Sequence, residues 1–184
     1  MNGHVFWLII LHLIGIVSFS ARAVDISFSG ELIEYPCKLD TESENKTVQF
    51  PEYPVKSFYI SSGRMPAQKF NIKLRDCDKS SLWKTVKLIF TGVHETNMNG
   101  DSDYYLKING VNTGKLAVGL LDVDGSTLLK LGEAHNNMKR GGLVDGSMTF
   151  AFFAFVQATP DAISNKDIQP GLYTSTVTFK LIYE

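Results

Sequence analysis

The final fourteen residues, GLYTSTVTFKLIYE (Gly171–Glu184), constrain the fold more than any other stretch. Tyr173, Val177, Phe179, Leu181 and Tyr183 share one parity, and Thr174, Thr176, Thr178, Lys180 and Glu184 share the other. Side chains alternate faces along an extended chain, so this is the pattern of a β-strand with one buried and one wet face. Ile182 is the one apolar residue on the polar side between Thr174 and Glu184. A long edge strand with a row of apolar side chains is an aggregation hazard that proteins cover or blunt. The terminal strand is therefore expected to be covered by an earlier strand or by another chain.

The opposite end reads MNGHVFWLIILHLIGIVSFSARA, an apolar run from Val5 to Val17 broken by His12 and closed by Ala21-Arg22-Ala23. The run is short for a bilayer span and ends in a small-x-small pattern, which predicts a secretory signal peptide over residues 1–23. Cleavage after Ala23 leaves 161 residues, enough for one domain with a core. The remaining chain has 17 basic and 19 acidic side chains, a balance that gives no electrostatic case for nucleic acid or an anionic membrane. No second apolar stretch is long enough to span a bilayer. The two cysteines, Cys37 and Cys77, form an even pair in an exported chain. They read most simply as one disulfide, with two free buried thiols as the alternative.

Val24-Asp25-Ile26-Ser27-Phe28-Ser29 alternates from the first residue after the predicted cleavage site. Chain termini fray unless something ties them down, so an arm patterned as a strand wants a groove to lie in. Gly30 interrupts it, and GELIEYPC continues as a short strand before the polar loop Lys38–Lys46. Prolines confine Thr47–Val55 to a sheet edge or strand end. Strands are predicted over Lys69–Cys77, Thr85–Phe90, Tyr104–Ile108 and Leu116–Val123. Asp124-Gly125 then gives a hairpin-type turn into STLLKL. Ser147–Ala158 is the most apolar segment of the mature chain, with both faces expected to be buried or one to lie beneath a partner. Many short strands separated by turn signals, without an amphipathic helix of any length, predict an all-β sandwich.

Chemistry is sparse. The mature chain has two histidines, His94 and His135, both in loops, and its cysteines are already claimed. That leaves no set of metal ligands at workable spacing. Asp101, Asp103, Asp122 and Asp124 lack the spacing and closing Glu of a calcium-binding loop and read as turn residues. Trp83, Tyr104 and Tyr105 are weighed as a sugar-stacking surface and assigned to core packing. No nucleophile elbow, phosphate-binding glycine loop or metalloprotease motif occurs. The chain is read as a non-enzyme without cofactor or metal.

The order of these features resembles subunits of chaperone–usher pili, the type 1 fimbrial protein family. The points of resemblance are the alternating arm ending in Phe28-Ser29-Gly30, Cys37 in GELIEYPC, Cys77 forty residues on, LAVGLLDVDG, the apolar strand before the last loop, and the C-terminal pattern. That last pattern has Gly171 fourteenth from the end, Phe179, and Tyr183 as the penultimate residue. The resemblance implies an incomplete immunoglobulin-like β-sandwich lacking its last strand, completed by a donor strand. A periplasmic chaperone would fill the groove first and the arm of a neighbouring pilus subunit later, with the exchange at an outer-membrane usher. On this reading residues 24–30 are the donor-strand arm, with Val24, Ile26 and Phe28 as donor residues, and 31–184 is the pilin domain. Gly171, Val177, Phe179, Leu181 and Tyr183 would form the groove strand that meets the chaperone. The implied role is a structural subunit of a cell-surface fimbrium in a Gram-negative bacterium, supporting adhesion, and a minor subunit rather than a shaft pilin. The competing readings are a self-contained β-sandwich that binds carbohydrate or host protein through its loops, and an exported enzyme.

Overall fold

The computed structural model describes residues 29–30, 34–60, 62–135 and 142–184, and the fold lies in the unit Glu34–Glu184. The signal segment and the donor residues Val24, Ile26 and Phe28 lie outside the described residues. Nine strands occur among the described residues: β1 (Lys38–Leu39), β2 (Gln68–Cys77), β3 (Val86–Gly92), β4 (Tyr105–Lys107), β5 (Asn109–Gly110), β6 (Leu116–Leu121), β7 (Gly146–Ala158), β8 (Tyr173–Thr174) and β9 (Val177–Tyr183). One sheet has the order β1-β2-β7-β6-β4; β3 pairs with β9, and β5 with β8. Every ladder is antiparallel.

Alternation explains which sheet faces meet. On β2 the residues Phe70, Ile72 and Leu74 are buried, and on β7 so are Met148, Phe150, Phe152, Ala154 and Val156. They pair across the ladder in register, Phe70 against Phe152 and Ile72 against Phe150. Val86, Leu88 and Phe90 of β3 face them from the second sheet and close the main core. Phe90 packs edge-on against Phe152 with ring centroids 5.0 Å apart. The second face of β7 is covered only in part: Ala151 and Phe153 are half-buried and Phe155 is buried. Phe155 sits in a satellite cluster with Met98, Tyr105, Ala117 and Leu121, and the Arg64 guanidinium lies 3.4 Å above its ring. Gly119 makes this possible, because a Cβ there would overlap the Phe155 ring.

Cys37 and Cys77 form the expected disulfide. Closing a loop of this length stabilises by roughly 4 kcal/mol in the chain-entropy model. The bond ties the start of the domain to the end of β2.

Several local expectations need correction. The segment Lys38–Lys46 contains β1 and a four-residue helix, α1 (Thr41–Glu44), because the Asp40 carboxylate accepts the Glu42 N–H and caps a turn. STLLKL forms no strand. Leu128 makes one bridge to Leu121, the Leu129 N–H donates to Leu120 O, and Leu129 and Leu131 turn into the core. The loop after β7 contains α2 (Pro160–Asn165), capped by the Thr159 hydroxyl. The terminal segment is two strands, β8 and β9. Ser175 donates its hydroxyl to Lys107 O where the chain changes partner from β5 to β3.

His135 is buried, and it bonds Leu88 twice. Its Nδ1 accepts the Leu88 N–H at 2.8 Å, and its own backbone N–H donates to Leu88 O at 2.9 Å. Burial pushes its pKa below the ordinary histidine value, opposed by the charge of Asp122. The unfolded chain therefore takes up a proton near pH 6.5 that the folded chain refuses. The stability at stake is whole above that range and falls as pH drops through it, by at most about 1.4 kcal/mol per pH unit. Urea midpoints measured between pH 7.5 and 5 are expected to show this decline in the wild type. His135→Asn, which keeps an acceptor for Leu88, is expected to flatten it.

Candidate functional site

The second sheet is one strand short. β9 pairs with β3 along one edge, Val86 opposite Tyr183 through Gly92 opposite Val177, and its other edge has no main-chain partner among the described residues. Burial shows the consequence. Val86, Leu88 and Phe90 are 0–2% exposed, whereas their cross-strand neighbours Tyr183, Leu181 and Phe179 face the same core and are only partly buried. Among the described residues β9 has a ladder partner on one side only, and the inner row beside its free edge stays partly wet.

Beside the free edge lies an apolar groove of about 1610 Å³. Its floor is the main core: Phe70, Ile72 and Phe90, with Leu116, Val118 and Leu120 of β6. Val177 and Phe179 form one wall. The other is the segment Val48–Val55, where Val48, Phe50, Tyr53 and Val55 pack against the core without forming a strand. Pro51 and Pro54 explain that irregularity, since neither has an N–H to give a ladder. Phe50 and Tyr173 approach across the groove, with ring centroids 6.3 Å apart.

The five residues expected on the groove strand separate into two groups. Gly171, Val177 and Phe179 line the groove. Leu181 and Tyr183 pack against the same core nearer the disulfide, and the Tyr183 hydroxyl donates to Cys37 O at 3.1 Å. Burial raises the pKa of that phenol. At Gly171 a Cβ would come within 2.6 Å of Cγ2 of Val111, the residue after β5, so a side chain there would meet the Val111 side chain. The floor residues on β6 and the wall around Phe50 are missing from the sequence-based assignment. Their signal was the LAVGLL run and the alternation of Val48 and Phe50, each compatible with ordinary core.

The loop carboxylates are engaged locally. Asp124 accepts from the Ser126 and Thr127 N–H groups and the Thr127 hydroxyl, which hold its pKa at about 2. Asp103 pairs with His94 and Lys130. Among the described residues no group of three His, Cys, Asp or Glu side chains is arranged to hold a metal, and no helix is long and apolar enough to cross a membrane. The aromatic set is dispersed. Tyr105 is buried against Phe155, whereas Trp83 is exposed near the chain's last residue, so core packing accounts for Tyr105 and not for Trp83.

A model of the fimbrial protein family matches residues 26–184. The chain belongs to the fimbrial protein family. It is 39% identical over 163 residues to the fimbrial adapter PapK of Escherichia coli, covering 89% of each chain. It is 28% identical over 165 residues to the PRS fimbrial major pilin protein of the same species, covering 86% of this chain and 93% of that one. The crystal structure of the P pilus rod subunit PapA superposes with a TM-score of 0.61 at 24% identity, covering 82% of this chain and all of PapA. The fold is thus the incomplete immunoglobulin-like sandwich of chaperone–usher pilins, and the chain is a pilus subunit exported through the periplasm to a cell-surface fimbrium.

The half-buried state of β9 has a direct energetic signature. Phe90→Ala removes a fully buried ring and is expected to destabilise by about 3–5 kcal/mol. Phe179→Ala, one strand over, removes a half-wet ring and is expected to cost less than about half of that. Urea unfolding of the two variants at neutral pH checks the ratio.

Proposed function

We propose that this fimbrial subunit is of the adaptor type and that its groove is completed by a strand from another molecule. The observation that carries the reading is the unpaired edge of β9 standing over an apolar groove. Such an edge binds an extended segment by main-chain hydrogen bonds and selects it by alternate side chains that drop into pockets. In the periplasm that strand belongs to the chaperone. At the outer-membrane usher it is replaced by the N-terminal arm of the next subunit. Greater identity to an adapter than to a major pilin supports the minor role.

Residues 1–23 are removed on export in this scheme, 24–30 form the arm that this chain donates, and 31–184 form the domain. Val24, Ile26 and Phe28 are the side chains that enter a neighbour's groove. Each buried apolar side chain of this size contributes about 1.5–3 kcal/mol before ordering costs. Val177 and Phe179 meet the incoming strand in this chain's own groove. Leu181 and Tyr183 continue that strand toward the disulfide, and Gly171 lets the chain turn past Val111 at the groove's other end.

A self-complemented chain tests this. Residues 24–30 are placed after Glu184 through a flexible linker, so that they reach the groove of the same molecule, and unfolding is compared with that of the chain from Gly30 to Glu184. A strand that binds only the folded state raises stability. The expected gain is several kcal/mol, lost when Val24, Ile26 and Phe28 are all changed to Ser. Equal stability of the two chains would show that the sandwich is already closed and overturn the reading.

A further inference from the structure

Eight large apolar side chains are strongly exposed among the described residues, and seven of them stand at the two ends of the β3–β9 ladder. At the Tyr183 end are Tyr35, Leu82, Trp83 and Val144. The Tyr35 ring lies 5.9 Å from that of Tyr183. Leu82 and Trp83 precede Lys84 and Thr85, whose N–H groups both donate to Glu184 O, and Val144 follows Leu143, whose N–H donates to Lys84 O. At the Val177 end are Val93, directly after β3, with Val111 and Leu172, which flank the paired residues Gly110 and Tyr173. Leu82 is 95% exposed and Leu172 is 92% exposed. Side chains this apolar and this wet, gathered at two poles, mark interaction surfaces rather than scattered surface residues.

We infer that these poles are the two halves of a head-to-tail interface between consecutive fimbrial subunits, the Tyr35–Leu82–Trp83 pole of one seated on the Val93–Val111–Leu172 pole of the next. The inference rests on the arm exchange proposed above, and two observations commit it to that occupant. Residue 34 begins the domain beside the first pole, so the arm leaves from there. Tyr35 is seven positions after Phe28, a reach of at most about 25 Å, so a neighbour that holds Phe28 is kept within that distance of this pole. The direction of the arm selects the other half. Every ladder in the fold is antiparallel, and an arm added antiparallel to β9 has its C-terminal end at the Val177 end of the groove. The donor's domain then emerges beside Leu172 and Val111 of the acceptor. A contact between two different patches is heterologous, the kind that extends a fibre when its rotation does not close a ring.

Trp83 reports on the contact directly, because it is the one tryptophan of the chain from Val24 onward. The probe is a second copy of this chain. The mature protein is brought to concentrations at which it self-associates, and size and tryptophan emission are followed together. Ile26→Asp with Phe28→Asp identifies the association that depends on the arm. The expected result is arm-dependent oligomers with a blue-shifted emission. Val93→Ser, on the same pole but outside the groove lining, should leave arm insertion intact, return the emission toward that of a wet indole, and speed dissociation roughly tenfold. Leu82→Ser should do the same from the opposite pole. Leu82 is 95% and Val93 69% exposed, so neither change threatens folding. Arm-dependent oligomers with unchanged emission and unchanged dissociation would overturn this interface and leave the arm exchange standing. Absence of arm-dependent association would overturn this interface between copies, while the self-complemented chain decides separately whether the groove takes an arm.

Discussion

The free edge of β9 sets the terms for the rest of the domain. A two-layer sandwich is held together by burying the inner rows of both sheets, yet here one row is left half in water. The remaining contacts must hold β9 in place without a neighbour on its outer side. They do so mainly at one end. Tyr183 is tied to Cys37 O, Cys37 is bonded to Cys77, and the Glu184 backbone exchanges hydrogen bonds with the residues that open β3. Toward Val177 the support is thinner, with β8 holding two residues of β5 and a wall without ladder hydrogen bonds across the groove. The groove is consequently closed near the disulfide and open near Leu172.

The two walls differ in what they can offer an incoming strand. β9 presents a free main-chain edge with Val177 and Phe179 beneath it. The opposite wall has apolar side chains but is interrupted by Pro51 and Pro54, and a proline has no donor to contribute. Regular hydrogen bonding therefore belongs to the β9 side, while the Phe50 side contributes contact and shape. A strand that enters is anchored by one wall and fitted by the other. This division explains how one groove can accept different strands in succession: the backbone edge is indifferent to sequence, and the pockets discriminate.

How much of this was legible in the sequence depends on whether the determining contact was local. The alternation in Phe70-Asn71-Ile72-Lys73-Leu74 and in Val177–Tyr183 placed β2 and β9 correctly, since a strand with one wet face carries its own signature. The double-sided apolar run of β7 implied two buried faces, but the second is buried only at Phe155, against Met98 and Tyr105, and half-buried at Ala151 and Phe153. The cysteine pair was readable from export alone. Where partners are chosen at a distance the reading failed. Nothing local says that the chain leaves β5 for β3 at Ser175, or that Leu129 and Leu131 reach the core without a ladder. Trp83 was misjudged for a related reason. An aromatic residue is core by default, and only its exposed position beside Lys84 and Glu184 shows otherwise.

An isolated subunit thus exposes apolar surface in two forms, the groove and the poles, and the two differ in kind. The groove exposes an edge and a core, whose contact with water threatens the fold itself, so it requires an occupant from the moment the domain forms. The poles expose side chains on finished loops, and leaving them wet costs solubility but no internal packing. That difference fits an order of events. A chaperone strand must protect the groove throughout transit, whereas the poles need a partner only when subunits are stacked and the arm has fixed their spacing. Covalent continuity between arm and pole makes the second contact effectively intramolecular once the first has formed, so a small apolar patch suffices to stiffen the joint.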